Sequence, residues 1–272
     1  MGGLFQNINL TDGKMLATYL AFDPDAQLFI DATGITGINA SAINTLVVAL
    51  KATSIWTKMK ALYPMVGGTA TTHKFNLKNP LDTNAAFRLQ FFGGWVHSST
   101  GAKPNSIDGY GETYLVPLIS LVQNSAHISY YSRTNATAGY IDMGTSGNPS
   151  TGINAMAIQS RWTDGNFYGK INTTANTFVA NASSTGFYAS SRLNGTTQSI
   201  YKNSTPTTSA ANSTGLSGNS INIGRWNNPG GTYYYSQREC AFASIGDGLS
   251  DAEASAFYTA VQNYQTTLGR QV

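Results

Sequence analysis

The sequence has little charge. Only 11% of its 272 residues are Asp, Glu, Lys or Arg, whereas about a quarter of the residues of an ordinary globular protein are charged. Hydrophobic residues make up 41%, which is enough for a core. The surface must therefore be covered mainly by uncharged polar groups, and Ser, Thr, Asn and Gly are abundant between residues 133 and 233. This mixture is typical of short strands joined by tight turns.

Cysteine and clustered cations are scarce as well. The one cysteine, Cys240, cannot form an intramolecular disulfide, and we expect it to be a small buried hydrophobic residue. The net charge is +3, but the 16 Lys and Arg form no run or stripe, so nucleic-acid binding is not predicted. No apolar run approaches the ~18–20 residues that cross a bilayer, and the first residues do not resemble a signal peptide. We therefore expect no membrane insertion.

The chain is predicted to begin with an arm and a helical unit. Residues 1–22 have no sustained hydrophobic period, which favours an extended arm that serves anchoring or assembly. Residues 23–65 are predicted to be a small helical unit, because Asp23 is a good N-cap and apolar residues recur after it at helical spacing. A third short helical turn, capped by Ser54 and carrying Met59, is expected to complete this unit.

Residues 66–272 are predicted to form one β domain. Apolar and polar residues alternate in 75–77 and 87–91, and 127–132 is predicted to be a strand with one face inward. Further candidate strands such as 186–192 follow, and Gly, Asn, Ser and Thr separate them. Short strands with frequent turn signals are typical of an all-β sandwich, whereas βαβ units would need helices between the strands.

The clearest predicted helix closes this domain, over residues 250–268. Ser250 and Glu253 are spaced as a capping box, in which the two side chains satisfy free amides at the start of the helix. Its apolar residues form one stripe: Phe257, Val261, Tyr264 and Leu268. We expect this stripe to pack on the β domain.

The order of the last segments is similar to that of a known family. Four segments carry the resemblance: residues 186–192 (GFYASSR), 201–205 (YKNST), 221–225 (INIGR) and 242–253 (FASIGDGLSDAE). They resemble the closing half of laminin-G-like, concanavalin A-like jelly rolls. The resemblance implies a mainly β fold, namely a concanavalin A-like β-sandwich closed by a C-terminal amphipathic helix and preceded by the small helical unit.

A second, narrower resemblance extends from about residue 23 to the C-terminus. It rests on residues 43–48 (INTLVV), 55–64 (IWTKMKALYP), 66–70 (VGGTA), 73–80 (HKFNLKNP) and 266–272 (TTLGRQV). These segments look like those of virion-associated proteins of tailed bacteriophages that infect Bacteroidota, including crAss-like phages. The resemblance implies a fibre or decoration protein of the head or tail, made in the host bacterial cytoplasm and exposed on the virion.

A carbohydrate-degrading enzyme of the same fold is the alternative function. Such a glycosidase needs two carboxylates that face each other across a cleft. The Glu-x-Asp-x-x-Glu strand motif of these enzymes is absent, and no two carboxylates of the β region are spaced i, i+2 on a predicted strand. The closest pair, Asp108 and Glu112, lies in a glycine-rich loop. We therefore predict no catalytic residues.

No metal or cofactor site is predicted either. The three histidines, His73, His97 and His127, are scattered along the sequence and lack the spacing of zinc ligands. Asp108 and Asp164 are loop carboxylates of the kind that bind calcium, but calcium sites use larger groups of oxygen ligands.

Loop aromatic residues point instead to carbohydrate binding. Sugar faces stack on aromatic rings, and uncharged amides bond to hydroxyl groups without the cost of burying a charge. Trp226 lies in a turn-rich segment, where a large ring has little reason to be buried. The predicted ligand-binding residues are Trp226, Tyr110, Asn227, Asn228 and Tyr233. The predicted partners are host-surface or mucosal glycans, other virion proteins bound through the N-terminal arm, and further copies of the chain in a homo-oligomer such as a trimer.

Overall fold

The computed structural model describes residues 8–11, 14–17, 21–147 and 153–272. The helices are α1 (Pro24–Thr33), α2 (Gly37–Ala52), α3 (Ala70–His73), α4 (Pro117–Ser120) and α5 (Asp251–Thr267). The strands are β1 (Ile8–Thr11), β2 (Lys14–Ala17), β3 (Met59–Tyr63), β4 (Gln90–Phe92), β5 (Trp95–Ser98), β6 (Gly101–Pro104), β7 (Tyr110–Glu112), β8 (Ala126–Ser132), β9 (Met143–Thr145), β10 (Ala155–Gln159), β11 (Asn166–Thr173), β12 (Thr177–Ala180), β13 (Gly186–Arg192), β14 (Thr197–Lys202), β15 (Thr205–Ala210), β16 (Asn222–Ile223), β17 (Trp226–Asn227) and β18 (Cys240–Gly246).

Two eight-stranded sheets form the body of the protein. The front sheet has the order β12-β11-β10-β9-β16-β7-β4, with β17 also pairing with β9. The back sheet has the order β15-β14-β13-β8-β18-β6-β5, with β3 also pairing with β18. The pairings within these sheets are antiparallel, except that β17 runs parallel to β9. The predicted mainly β sandwich is therefore confirmed, and β1 and β2 form a separate antiparallel hairpin within the predicted arm.

The main core lies between the two sheets. Inward side chains from the front sheet, such as Ile158 and Phe167, pack with Ile128, Tyr130 and Tyr188 of the back sheet. The sheets come especially close at β11. A Cβ atom at Gly169 would lie 2.2 Å from Oγ of Ser190, so glycine is the residue that permits this approach.

A second core lies on the other side of the back sheet, beneath the long helices. Its members from the back sheet include Tyr131, Phe187 and Phe242, and its helical members include Leu46 of α2 and Phe257 of α5. β8, β13 and β18 are consequently buried along their whole length, because both of their faces are covered. The helices and the sandwich thus share this core, and the molecule has three layers: helices, back sheet and front sheet.

The C-terminal helix begins as the sequence predicts. The backbone amide of Glu253 donates to Oγ of Ser250 at 3.3 Å, and the amide of Ser250 donates to Oε2 of Glu253 at 2.9 Å. This is the reciprocal pattern of a capping box. Phe257 and Val261 are fully buried against the back sheet, so the stripe packs on its own domain.

The predicted third helical turn is wrong. Residues Trp56–Lys58 form one 3-10 turn, and Met59–Tyr63 form β3, which pairs with β18. Met59 and Leu62 face the helical core, whereas Ala61 and Tyr63 face the core between the sheets. A strand that is apolar on both faces has no alternating pattern, and the spacing of Met59 and Leu62 then imitates a helix.

Within the described ranges, no helix is both long enough and apolar enough to cross a membrane.

Candidate functional site

The outer face of the front sheet is the side of the sandwich that the long helices leave open. Phe91, Met156, Ile158, Phe167 and Ile223 point into the core between the sheets, so the residues that alternate with them point outward. We call the outward side chains the front face. It comprises Phe92, Tyr110, Glu112, Tyr168, Lys170, Phe178 and Asn222 on the strands, with Arg225, Trp226, Tyr233, Tyr234 and Tyr235 from β17 and its flanking loops.

A stack of side chains occupies one edge of the front face. The rings of Phe92 and Tyr110 are stacked, with centroids 4.9 Å apart and planes inclined by 13°. The guanidinium carbon of Arg225 lies 3.3 Å from the centroid of Tyr110 and 4.6 Å from that of Tyr233. The guanidinium fills the space over one face of the Tyr110 ring, so the parallel ring of Phe92 cannot lie over that same face. Phe92 and Arg225 therefore cover opposite faces of Tyr110.

This geometry corrects the interpretation of Tyr110 as a platform for a sugar. Both faces of its ring are covered, so it has no free face to offer a ligand. Tyr110 supports the ring of Phe92 from below. Phe92 is 36% exposed and forms the solvent end of the stack. The sequence analysis missed Phe92, because on its own an apolar residue in a short strand predicts burial.

Hydrogen bonds hold Arg225 flat in this stack. Its Nε donates to Oδ1 of Asn222 at 2.8 Å, and its Nη1 donates to the hydroxyl of Tyr235 at 3.0 Å. Nδ2 of Asn222 in turn donates to Oε2 of Glu112 at 2.9 Å. The planar guanidinium is therefore fixed at its edges by hydrogen bonds and on its faces by tyrosine rings.

A second aromatic group lies near the centre of the front face. The ring of Tyr234 lies 6.4 Å from that of Trp226 and 5.5 Å from that of Trp162, measured between centroids. Trp226 is half-buried and lies beside Gly144, where a Cβ atom would come within 3.2 Å of Cδ1 of the indole. The prediction of an exposed loop residue was therefore wrong in part, because Trp226 belongs to β17 and rests on the sheet.

The backbone at Tyr234 is strained. Its φ angle is +49°, in the left-handed region that a bulky residue rarely adopts. The ring is 37% exposed. Strain of this kind persists only where neighbouring contacts enforce it, and it is frequent at binding sites. Two backbone hydrogen bonds enforce it here, from the amide of Trp226 to the carbonyl of Tyr233 and from the amide of Ile141 to the carbonyl of Tyr234.

Asn227 and Asn228 serve the loop itself. Nδ2 of Asn227 donates to the carbonyl and to Oγ of Ser220, at 2.8 and 3.2 Å, and Nδ2 of Asn228 donates to the carbonyl of Thr232 at 3.4 Å. Both residues are buried, with 8% and 2% exposure. Their interpretation as ligand-binding residues does not fit this geometry, since asparagine side chains in turns commonly replace backbone hydrogen bonds.

A buried ion pair anchors the loops behind the front face. Nη1 of Arg238 lies 3.1 Å from Oδ1 of Asp142, and both side chains are fully buried. Asp142 also accepts hydrogen bonds from the backbone amide and hydroxyl of Ser160 and from the hydroxyl of Ser236. Nη2 of Arg238 donates to the carbonyls of Ala136 and Arg161. The pair thus joins the loops before β9, after β10 and before β18, the last of which carries the three tyrosines.

Two of the histidines that are distant in sequence meet in the structure. Nδ1 of His73 lies 3.0 Å from Nδ1 of His97, and the amide of Gly68 donates to Nε2 of His73, so the His73 proton is on Nδ1. Burial lowers the pKa of His73 to about 3. In the part of the chain that the structure describes, His, Cys, Asp and Glu form no group of three or more that could hold a metal ion.

Two depressions of the surface lie away from the front face. One, of about 400 Å³, lies between β14 and the start of α5 and includes Tyr201, whose hydroxyl donates to Asp251. The other, of about 310 Å³, lies beside Thr173 and Ala211. Neither contains a group of exposed aromatic rings, so the front face is the better candidate for a binding surface.

Comparisons with protein-family models and with curated protein sequences gave no match. Solved structures do match. The Trypanosoma rangeli sialidase in complex with sialic acid has a TM-score of 0.52 and 8% identity, over 79% of this chain and 38% of the sialidase. The likeness shows a shared fold. Domain 4 of AbnA, an arabinanase from Geobacillus stearothermophilus in complex with arabinotriose, has a TM-score of 0.49 and 12% identity, over 74% of this chain and 98% of that domain. The CBM40 of a Ruminococcus gnavus sialidase, bound to α2,3-sialyllactose, has a TM-score of 0.38 and 15% identity, over 50% of this chain and 83% of that one.

Proposed function

We propose that this protein binds glycans through the front face and does so as part of a bacteriophage particle. The observation that carries the binding half is the aromatic surface itself. Phe92 and Tyr234 are partly exposed, and the rings of Trp226 and Tyr234 lie 6.4 Å apart between centroids. Side-chain hydrogen bonds hold Arg225, which supports the stack below Phe92, and a strained backbone fixes Tyr234. An open, rigid, aromatic surface suits the flat apolar faces of sugars better than it suits a small molecule, which requires an enclosing pocket.

We also propose that binding is not followed by hydrolysis. Glu112 is the carboxylate on the strands of the front face, and it is already engaged, since the amide of Tyr114 donates to Oε1 and Asn222 donates to Oε2. Asp142 lies below the face in its ion pair and is fully buried. A glycosidase needs one carboxyl group free to donate a proton and a second one opposite it.

The virion half of the proposal rests on the sequence resemblance. Two of its segments, 55–64 and 266–272, are in contact, because the guanidinium of Arg270 donates to the carbonyls of Pro64 and Met65, both at 2.7 Å. Arg270 is 1% exposed. The resemblance therefore concerns the scaffold of the fold. Location on the particle, an anchoring role for residues 1–22 and assembly into a homo-oligomer belong to this proposal as well.

Binding is tested with a glycan array, followed by titration calorimetry on the glycans that bind. We expect Trp226→Ala to lower affinity about tenfold, because a stacking contact contributes about that much. Tyr258→Ala, which removes a half-buried ring on the helical side, is the matched control and keeps affinity. Binding that survives the triple change of Phe92, Trp226 and Tyr234 to Ala contradicts the assignment to the front face. A chain that binds no glycan contradicts the function.

The particle is tested separately. Mass spectrometry of purified virions detects the chain if it is a structural component, and antibody labelling of intact particles shows that it is exposed. Its absence from purified virions contradicts this half of the proposal and leaves the glycan-binding half untouched.

A further inference from the structure

The front face carries two cations without acidic partners. Elsewhere in the described residues, seven Lys and Arg side chains pair with carboxylates: Lys51, Lys58, Lys60, Lys74, Arg88, Arg133 and Arg238. Four others donate to backbone carbonyls instead: Lys78, Arg192, Lys202 and Arg270. Lys170 and Arg225 take part in no ion pair within residues 21–147 and 153–272. Glu112, the carboxylate nearest to Arg225 in the hydrogen-bond chain, is bound to Asn222 instead. The front face therefore has two cations, Lys170 and Arg225, that no carboxylate of the described residues contacts directly, although Glu112 lies on the face and Asp164 borders it through Tyr168.

Lys170 is the more unusual of the two. It lies on β11 opposite Ala157 of β10, and its Nζ is 6.0 Å from the ring centroid of Trp226. The side chain is half-buried, and its ammonium group has no hydrogen-bond acceptor among the described residues. Burial lowers its pKa. Holding a partly desolvated ammonium without a counter-ion is unfavourable, and an arriving anion would relieve that cost.

Arg225 also has a free donor. Its Nε and Nη1 are bonded to Asn222 and Tyr235, but Nη2 makes no hydrogen bond to any described residue and is not buried. The guanidinium is held rigidly by the stack, so this donor is fixed in direction before a ligand arrives. A preorganised donor of this kind loses little entropy on binding an anion.

We propose that the glycan bound by the front face is an acidic oligosaccharide, whose carboxylate or sulfate groups are received by Lys170 and Arg225. Lys170 is on β11, and the guanidinium of Arg225 lies over Tyr110 of β7. These two strands are four strand intervals apart in the front sheet, which is about 19 Å at the usual strand spacing. One sugar does not reach both, so the ligand extends across the strands, with Trp226 between its charged groups. This inference rests on the proposed glycan-binding function and adds the class of ligand.

The test compares matched glycans that differ only in charge. Oligogalacturonides are compared with the same oligosaccharides after carboxyl reduction to neutral galactose units, and chondroitin sulfate is compared with its desulfated form. We expect the protein to bind the more highly charged member of one or both pairs at least about tenfold more tightly. We also expect the preference to shrink as ionic strength rises, because salt screens exposed charges. The pair that shows the preference identifies the anionic group.

Two variants assign the preference to residues. Lys170→Met keeps the length and apolar stem of the side chain and is expected to reduce the preference about tenfold, with little change for the neutral glycan. Arg225→Gln is expected to act in the same direction. Lys103→Met is the matched control, since Lys103 is an exposed lysine on β6 of the back sheet that likewise has no ion pair among the described residues. Thermal melting of each variant confirms that it is folded.

The outcomes separate the inference from the function. Equal affinity for the two members of both pairs overturns the inference while the proposed function stands. A preference that persists in both Lys170→Met and Arg225→Gln overturns the assignment of these residues. Failure to bind any glycan, charged or neutral, overturns the function and the inference together.

Discussion

Removing the carboxylate of Asp142 should be the most damaging single change behind the front face. In Asp142→Ala the guanidinium of Arg238 stays fully buried but loses the two carboxylate oxygens, at 3.1 and 3.2 Å from Nη1. Nε of Arg238 already lacks a partner in the described part of the chain. The hydroxyl groups of Ser160 and Ser236 lose their acceptor at the same time.

The size of the effect follows from this burial. Breaking a buried ion pair by removing one partner costs about 3–5 kcal/mol, because the remaining charge has neither water nor a counter-ion. A domain is typically stable by only about 5–15 kcal/mol, so the loss is a large part of the total. The double change of Asp142 to Leu and Arg238 to Met removes both charges, and we expect it to recover most of the loss.

Urea unfolding followed by tryptophan fluorescence measures these differences, and glycan titration at low temperature reports on the binding surface. We expect the folded fraction of Asp142→Ala to bind more weakly as well, because the loop with the three tyrosines loses its anchor. The reasoning is refuted if Asp142→Ala lowers the free energy of unfolding by less than about 1 kcal/mol, or if the double variant is less stable than the single one.

Three further predictions concern stability. Complete burial lowers the pKa of His127 to about 4. As the pH falls, the histidine is therefore protonated in the unfolded chain at a higher pH than in the folded protein. We expect the free energy of unfolding to be highest above pH 6.5 and to fall as the pH decreases towards 4. His127→Gln should flatten this slope in urea titrations between pH 7 and 5, where carboxylates are still ionised, and an unchanged slope contradicts the assignment. Gly169→Ala should lower the free energy of unfolding by about 1–3 kcal/mol in the same assay, because its methyl group overlaps Ser190. An unchanged free energy of unfolding would mean that the two sheets can move apart at this position without cost. Ser250→Ala removes the N-cap of α5 and should lower the free energy of unfolding by about 1 kcal/mol, which is measured as a lower melting temperature. Ser250→Asp should retain the cap and the melting temperature.

The elements that the sequence predicts well are those whose signals are local. The capping box of Ser250 and Glu253 determines where α5 begins, and the turn residues around 127–132 and 186–192 delimit β8 and β13. Each of these signals needs only a few neighbouring residues. β3 was missed for the opposite reason, because its environment is made by two layers that come from distant parts of the chain. The expectation that 127–132 has only one face inward was wrong, because the helices cover its other face.

The candidate site was predicted only in part, because its arrangement depends on strand order. Tyr110 and Tyr233 were both identified as aromatic loop or strand residues, and the structure brings them together around Arg225. The stack exists because β16 pairs with β7 and β7 pairs with β4, which places Phe92 beside Tyr110. No local pattern in the sequence specifies these pairings.

The spacing of charged residues along the sequence does not reveal which of them lie on the same face of the folded protein. The 16 Lys and Arg form no cluster along the chain, which correctly describes their spacing. Two of them nevertheless face the same side of one sheet, and their lack of partners is visible only after the carboxylates are placed. The ligand class we propose thus follows from which charges remain unpaired in three dimensions.

The three-layer order also separates the front face from the point where the chain enters the fold. Phe22 packs against the helical core, and the amide of Asp23 donates to Oδ1 of Asn44, so the chain enters the fold on the helical side. The front face is on the opposite side of both sheets. A support attached to the chain at Phe22 would therefore lie on the side of the molecule away from the aromatic surface. Many copies oriented in this way on one support would bind a repetitive polysaccharide by avidity, so each copy would need only a low affinity for the polysaccharide.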